Sequence, residues 1–422
     1  MALDILPARK REDLFMPSTF GWLDTDSEQR RKMLDVVDLF RERGILDELG
    51  IGAVRDTFSD ILFPGTSTQH QRLRYVLFVP WLMLQAAEKK APDEMQRNFE
   101  DLEFRLIGSL KNGLKNSGEV EVGVIGSAAG RNLKLWPHSM YWGALGAWGI
   151  RRVDSIAGYF RQQHDYRALR KQTTSPDDAE ARDSLTSPGL DPELPPAPPD
   201  LLEQTTFILR PEDEEYLSRT IAHAARDTVL GWMVLNPPAE DASFVWEIGE
   251  LDQLPARLRS EVEHARRFSL GIEGASLMYS FLVNEKANRE EQRELFRTHL
   301  SDWQQESASF RALEEWDSSD FWALIRGRNP RLSRRTEEFV EGWIRLSRGA
   351  VNLAESRDAR DLIAVRERQI KGGRGPLVNQ SMLDSWSTGT RRWRHSFRWE
   401  IAKMHVGDLA AARNPPAAGS GT

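Results

Sequence analysis

Apolar side chains recur at helical spacing along most of this chain. Residues 33–40 carry them at i, i+3, i+4 and i+7 after a capping box, and residues 54–62 repeat the pattern before a Pro-Gly pair. Residues 69–90 form a nearly all-apolar segment in which Pro80 predicts a kink or a split. We expect this third helix to lie at the centre of an N-terminal helical unit.

Helical patterns continue in the second half of the chain, whereas strand patterns are scarce. Two short segments, residues 119–125 and 243–248, alternate or are rich in β-branched residues and are candidates for strands. The sequence therefore predicts a mainly α fold with few short strands. The predicted C-terminal helices cover residues 212–230, 252–267, 272–303, 318–326, 333–354 and 356–371.

A change in composition divides the helical regions. Residues 171–260 contain 18 acidic and 7 basic residues, so the net charge of -7 is local, and residues 173–204 are also rich in proline and serine. Such a composition buries too little apolar surface to offset the entropy lost when the chain is ordered. We therefore predict an N-terminal unit (1–170), a flexible acidic linker (171–205), a C-terminal unit (206–412) and a disordered tail (413–422).

The composition also excludes several classes of protein. The 422 residues include no cysteine, which excludes disulfides, thiolate nucleophiles, iron–sulfur clusters and cysteine-bound zinc. No apolar run approaches the roughly 20 residues needed to cross a bilayer. The N-terminal apolar stretch is too short for a signal peptide, so we expect a soluble, cytoplasmic protein without a membrane partner.

Common signatures of catalysis and nucleotide binding are absent from the sequence. It contains no P-loop, no dinucleotide-binding glycine motif, no G-x-S-x-G elbow and no H-E-x-x-H pair. Glu261 and His264 could ligate a metal from one helix face, but the second such pair of a di-metal site is missing, so a solvated helix face is the better interpretation. We predict no metal and no cofactor, and the missing motifs favour a protein without enzymatic activity.

A basic segment, residues 123–152, has the shape of a helix-turn-helix. Residues 127–135 and 140–148 are its predicted helices, and Gly149 ends the second. In such a module the second helix enters a groove and nearby cations contact phosphates. The alternative is a pair of packed helices, which the aromatic residues of the second helix favour. The cations concerned are Arg131, Lys134, Arg151 and Arg152.

The most basic region, residues 357–403, holds 11 basic and five acidic residues, with three aromatic residues among its last arginines. A guanidinium group binds phosphate in a bidentate manner and stacks on aromatic rings, so this composition is typical of a nucleic-acid site. The alternative is a basic face for an acidic protein partner. The predicted nucleic-acid-binding residues here are Arg366, Arg368, Lys371, Arg374, Arg391, Arg392, Arg394 and Arg398.

Two further arginines, Arg72 and Arg74, stand at the start of the apolar segment that contains Pro80. Arginine on an apolar helix is costly unless it is paired or exposed. Asp56 and Asp60 on the preceding helix are the expected partners in a structural ion-pair network. The alternative is an anion site at the start of this helix.

Six segments carry distinctive motifs: FGWLD (20–24), the run from LDELGIG to LFVPW (46–81), GVIGSAAGRNLKLWPHSMYW (123–142), WGIR (148–151), RERQIKGG (366–373) and FRWEIA (397–402). Together they resemble a bacterial family catalogued only as a domain of unknown function. The resemblance covers both predicted units. It implies a cytoplasmic protein that is often encoded among genes for DNA processing and phage defence, and it provides no catalytic residues. Residues 135–140 depart from the more basic, serine-rich turn expected there, which argues against groove reading by that element.

Three hypotheses about function follow from these features. The first is a non-enzymatic subunit of a bacterial anti-phage assembly that binds nucleic acid, DNA in the first place, through the arginines named above. The second is a scaffold that binds other proteins of such an assembly without contacting DNA. The third is a metal-dependent nuclease, which needs carboxylates close to the basic region. The local candidates are Glu367, Asp384 and Glu400.

Overall fold

A computed structural model of the protein describes residues 47–172, 189–239, 241–309, 311–349, 352–387 and 392–414. Across these ranges the chain forms 14 α-helices joined by turns and short 3₁₀ helices. The mainly α fold is therefore confirmed. The helices are α1 (Gly52–Leu62), α2 (Tyr75–Ala86), α3 (Pro92–Ser117), α4 (Pro137–Ala147), α5 (Ile156–Gln172), α6 (Pro211–Ala224), α7 (Val229–Leu235), α8 (Ala256–Lys286), α9 (Glu290–Ser309), α10 (Ser319–Arg328), α11 (Arg334–Ser347), α12 (Arg357–Lys371), α13 (Gln380–Ser385) and α14 (Trp399–Arg413).

Helix α2 forms the centre of the first helical region, as the sequence predicts. Residues 75–83 are all buried, because an almost wholly apolar helix has no face that favours water. Pro80 lies inside the helix, which continues through it without a break. Helices α3 and α4 pack against α2 and enclose it. The helix predicted at residues 33–40 lies outside the described residues.

Helix α8 is the core of the second helical region. The sequence predicts two helices, residues 252–267 and 272–303. The structure also has two helices here, but α8 continues through the predicted break to Lys286, and α9 begins at Glu290. The break lies at Asn288, whose φ of 52° is left-handed, a conformation in which asparagine is enriched. Residues 268–284 of α8 are all buried, and helices α9, α11 and α12 pack around them.

Residues 189–205, the described part of the predicted linker, pack against the first helical region. The indole N–H of Trp81 donates to the carbonyl of Pro195 over 2.7 Å, and the Ser109 hydroxyl donates to the carbonyl of Leu201 over 2.6 Å. Leu190 and Leu201 are buried in the same core. Apolar residues between the prolines provide this anchoring, which the composition of the whole segment does not reveal. Residues 173–188 lie outside the described residues.

Residues on both sides of the predicted linker belong to one compact unit, Ile45–Thr422. Arg74 pairs with Asp213 over 3.1 Å and Arg72 pairs with Asp408 over 2.8 Å. The predicted ion-pair network therefore forms, but the predicted partners Asp56 and Asp60 were wrong. They were chosen because they are near in sequence, whereas the observed partners lie on α6 and α14.

Two local predictions were wrong. The helix predicted for residues 127–135 is only a 3₁₀ turn, Gly130–Asn132, because Gly126 and Gly130 adopt left-handed backbone conformations that interrupt a helix. The second predicted helix does form, as α4. Because the first does not, the predicted helix-turn-helix is absent from these described residues. The strand candidates at residues 119–125 and 243–248 are turns and a 3₁₀ helix, and the only strand-like pairing among the described residues is a single bridge between Arg151 and Leu190.

Candidate nucleic-acid interface

Arg366, the first residue of the predicted C-terminal cluster, is buried and has a structural role. Its side chain is 2% exposed and donates to the carbonyl oxygens of Leu49 and Gly50 over 2.8 and 3.0 Å and to the Thr336 hydroxyl over 3.0 Å. Burial lowers the pKa of its guanidinium group to about 10, so the group stays charged at neutral pH. Arg366 therefore joins α12 to α11 and to residues 49–50.

Arg392 and Arg394 form a four-membered ion-pair network with two carboxylates. Arg392 contacts Glu273 over 2.8 Å and Glu306 over 2.7 Å, and Arg394 contacts the same two residues over 2.6 and 2.9 Å. Glu273 belongs to α8 and is buried, and Glu306 belongs to α9. The network fixes the segment before α14 against the core helices and neutralises both arginines.

Two more cations of the cluster are also paired. Arg398 contacts Asp60 over 2.6 Å and donates to the carbonyl of Thr66 over 2.8 Å. Lys371 pairs with Glu48 and donates to the Tyr279 hydroxyl over 3.0 Å. Arg368 and Arg374 are exposed, and neither side chain bonds to another described residue. Arg391 lies outside the described residues.

The cations of the predicted helix-turn-helix are separated by the structure rather than aligned on one helix. Arg131 pairs with Asp101 over 3.0 Å and lies over the Phe104 ring. Arg151 donates to the carbonyl of Trp142 over 2.8 Å, and Arg152 approaches Asp191 at 3.4 Å. Only Lys134 among the four is exposed without a bond to the rest of the described chain. Nucleic-acid binding by these residues stays a prediction.

The carboxylates named for a nuclease have separate structural roles. Glu367 is buried and accepts from the Tyr279 hydroxyl over 2.9 Å and from the backbone N–H group of Leu377. Asp384 accepts from the Gln380 amide over 2.8 Å, and Glu400 pairs with Lys403 over 3.2 Å. Across the described ranges no group of three or more His, Asp or Glu residues is arranged to hold a metal ion.

A different basic surface becomes visible in the structure. Residues 326–335 contain five arginines and no acidic residue, and they run from the end of α10 through a short connection into the first turn of α11. All five arginines are exposed. We name this surface the 326–335 arginine segment, and its cations are Arg326, Arg328, Arg331, Arg334 and Arg335.

The arginines of this segment are much less neutralised than those of the C-terminal cluster. Arg326 pairs with Glu337 over 2.6 Å, and Arg334 pairs with Glu338 over 3.2 Å in an almost fully exposed contact. Arg328, Arg331 and Arg335 make no side-chain bond to another described residue. Counting arginines in successive ten-residue windows of the sequence would have found this segment. We instead favoured a region where aromatic residues stand among the arginines, and this segment contains no aromatic residue.

The segment also borders two depressions in the protein surface. Arg326, Pro330 and Arg334 line one of about 560 Å³. Arg328 lines the other, of about 700 Å³, together with Glu261 and His264. The 326–335 arginine segment thus presents cations beside concave surface, which is where ligands bind most often.

None of the described helices has the length and the apolar character that crossing a membrane would require. No curated protein and no solved structure matches the chain. One family model does match, and it covers residues 17–413. The motifs and the folded unit described above therefore belong to a known sequence family, and the chain is a member of the family of unknown function DUF6361.

Proposed function

We propose that the protein binds DNA through the 326–335 arginine segment, as a subunit without catalytic activity of its own. The observation that carries the proposal is a run of five exposed arginines without an acidic residue, three of which have no partner among the described residues. Guanidinium groups bind phosphate oxygens in pairs of hydrogen bonds, and DNA presents phosphates at regular spacing. Exposed cations at the junction of two helices suit such a backbone.

Stability does not explain these arginines. Arg334 and Arg335 occupy the first two positions of α11, where the positive end of the helix dipole disfavours a cation by about 0.3–1 kcal/mol at an exposed site. Of the two, only Arg334 has a carboxylate partner among the described residues, Glu338, in an exposed pair that contributes about 0–1 kcal/mol. A local arrangement that opposes folding is expected where a site serves binding.

The arginines of the C-terminal cluster have a smaller part in this proposal. Arg366, Arg392, Arg394 and Arg398 would have to break internal contacts before they could bind phosphate, and that cost opposes binding. Arg368 and Arg374 remain available, as does Lys134. These three residues are further candidates for phosphate contacts in the proposal.

The wider role in our proposal is that of a DNA-binding subunit in a bacterial anti-phage assembly. What supports it is the resemblance of the sequence motifs to proteins encoded beside DNA-processing and defence genes, together with the missing catalytic signatures. Such a subunit would hold DNA for enzymes that other chains provide. Copurification of the tagged chain with the products of neighbouring genes, with and without nuclease treatment, tests this part.

The DNA proposal is tested by fluorescence anisotropy with single- and double-stranded DNA across a salt series. The variant is Arg328→Ala/Arg331→Ala/Arg335→Ala, and its matched control is Lys89→Ala/Lys90→Ala/Lys115→Ala, which removes the same charge from exposed positions elsewhere. We expect the arginine variant to bind at least about tenfold more weakly, with a salt slope reduced by about 0.9 for each phosphate that it no longer neutralises.

The matched control distinguishes a specific binding site from a general electrostatic attraction between DNA and the net charge of the protein. If both variants weaken binding equally, binding follows net charge and the segment is not the interface. If the unaltered protein binds no DNA at low salt, the DNA proposal is wrong, and a scaffold that binds other proteins becomes the better hypothesis.

A further inference from the structure

A cavity of about 700 Å³ lies between α8, α10, the end of α1 and the turn before α7. Its volume is within the roughly 300–1,000 Å³ of small-molecule sites. Ile61, Ala323 and Leu324 provide an apolar wall. The polar lining residues are Asp227, Thr228, Arg257, Ser260, Glu261, His264, Asp320 and Arg328. The cavity therefore combines an apolar wall with polar groups that could orient a ligand.

Glu261 contributes a buried carboxyl oxygen that has no partner. Its residue is 2% exposed, Oε1 accepts from Arg257 over 2.6 Å, and Oε2 makes no hydrogen bond in the structure. Burial raises the pKa of this carboxyl group above its ordinary value, although Arg257 opposes the shift. An unsatisfied buried polar atom costs about 1–3 kcal/mol, so a ligand that provides an N–H group at Oε2 would recover stability that the free protein lacks.

His264 lies one helical turn further along α8 and has a defined tautomer. Its Nδ1 accepts from the indole N–H of Trp316 over 3.0 Å, and burial lowers the pKa of the ring, so the neutral ring carries its proton on Nε2. His264 can therefore donate one hydrogen bond in the same cavity where Glu261 can accept one. An acceptor and a donor are the two kinds of group that pair with the edge of a nucleobase, which presents both N–H groups and acceptors.

Arg328 provides the cation that such a ligand would need for its phosphate. It is exposed, has no partner among the described residues, and belongs to both the cavity wall and the 326–335 arginine segment. We infer that the cavity binds one nucleotide unit, with the base toward Glu261 and His264 and the phosphate at Arg328. This inference rests on the proposed function, because Arg328 would then connect the cavity to the DNA-binding surface.

The nucleotide unit could be a free mononucleotide or one nucleotide of a bound strand, extruded or terminal. Two measurements distinguish these sources. The first is isothermal titration with dAMP, dGMP, dCMP and dTMP up to about 5 mM, a range that detects millimolar affinity. The second is anisotropy with a single-stranded oligonucleotide. Inorganic phosphate is the control ligand in the first measurement.

Three variants are compared with the unaltered protein. Ala323→Trp fills the cavity from an exposed position on α10, and Ala308→Trp places the same side chain at an exposed position on α9, away from the cavity lining. Glu261→Gln retains the size of the side chain but changes the group that the base would meet. We expect Ala323→Trp and Glu261→Gln to weaken nucleotide binding at least about tenfold. Ala308→Trp should leave nucleotide binding unchanged.

Each outcome decides the question. Mononucleotide binding that Ala323→Trp abolishes supports a site for free nucleotides. Oligonucleotide binding that Ala323→Trp weakens, without mononucleotide binding, supports a site for a nucleotide of the strand. If Ala323→Trp changes neither measurement, or if phosphate binds as tightly as the nucleotides, the inference is wrong. DNA binding that still depends on Arg331 and Arg335 would then leave the proposed function intact.

Discussion

Arg74, directly before α2, and Asp213 of α6 form an ion pair that is almost closed to solvent, with 3.1 Å between Nη2 and Oδ2. Arg74 also donates to the carbonyl of Thr206 over 2.9 Å, and Arg210 contacts the other carboxyl oxygen of Asp213 over 2.6 Å. Burial lowers the pKa of Arg74, and the charge of Asp213 opposes that shift. The pair therefore joins α6 to the start of the central helix of the first helical region.

We expect Asp213→Ala to lower the free energy of unfolding by about 3–5 kcal/mol, because it leaves a buried guanidinium group without its counter-charge. Urea denaturation followed by circular dichroism measures the loss. The control is Asp101→Ala, which removes the exposed partner of Arg131 and should cost less than about 1 kcal/mol. Equal losses in the two variants would show that water reaches the Arg74 pair.

A second prediction concerns the contact between α3 and the described end of the predicted linker. A Cβ atom at Gly113 would lie 2.0 Å from the carbonyl oxygen of Thr205, and a backbone atom cannot rotate away as a side chain can. We expect Gly113→Ala to destabilise the protein by at least about 2 kcal/mol, despite the higher helix propensity of alanine.

Gly108 provides the matched control on the same helix, since a Cβ atom there meets nothing within 4 Å. Gly108→Ala should stabilise the protein by up to about 1 kcal/mol through helix propensity alone. Thermal unfolding of the two variants measures both effects. If Gly113→Ala is as stable as Gly108→Ala, residues near Thr205 are not held against α3.

The helices could be predicted from the sequence because their signal is local. Apolar spacing places α1 within two residues of its observed ends, and the segment predicted at residues 69–90 contains α2, which begins six residues later and ends four residues earlier. Ion-pair partners are not local: Arg72 pairs with Asp408, 336 residues away, although two aspartates lie within 16 residues of it. Periodicity indicates which face of a helix is apolar but not which distant helix meets that face.

The candidate site illustrates the same limit. Arg366 stands among polar residues and looks like a surface cation, yet the packing of α12 against α11 buries it. Arginines 328, 331 and 335 are exposed where α10 ends and α11 begins, and no periodic pattern in the sequence marks which cations such a junction leaves in solvent. Charge density along the sequence finds cations, whereas the fold decides which of them are neutralised.

A third prediction concerns the network of Arg392, Arg394, Glu273 and Glu306. Partial burial would raise the pKa of Glu306, but hydrogen bonds and charge from the two arginines outweigh it and lower the pKa below its ordinary value. A carboxyl group of this kind contributes stability above its unfolded pKa of about 4.3, and that contribution disappears as the pH falls through the folded pKa.

We therefore expect Glu306→Gln to be less stable than the unaltered protein at pH 6 and to approach it as the pH falls to about 3. Urea denaturation at several pH values measures the difference. The comparison isolates Glu306, because all other titrating groups are shared. A difference that stays constant with pH would contradict a lowered pKa and would indicate a change in packing alone.

Two histidines, His395 and His405, are buried with both ring nitrogens unpaired in the structure. Burial lowers the pKa of His395 to about 3 and that of His405 well below its ordinary value. Both rings are therefore neutral in the folded protein at pH values where an unfolded histidine is already protonated. Below the unfolded pKa of about 6.5 the unfolded state binds more protons, so stability must fall as the pH falls.

Each histidine should reduce the free energy of unfolding by about 1.4 kcal/mol for every pH unit below 6.5, until its folded pKa is reached. Between pH 6 and 5 the free energy of unfolding should therefore change less steeply with pH in His395→Leu and in His405→Leu. We expect each substitution to reduce that slope by about 1.4 kcal/mol per pH unit, which corresponds to one proton. The control is Ser301→Leu at an exposed position, which removes no titrating group and should therefore leave the slope unchanged. The slope is the decisive measurement, because a change in packing shifts stability equally at all pH values. If the slope is the same in the two variants as in the unaltered protein, these rings take up protons as readily in the folded state as in the unfolded state. Their burial would then not control stability in acid.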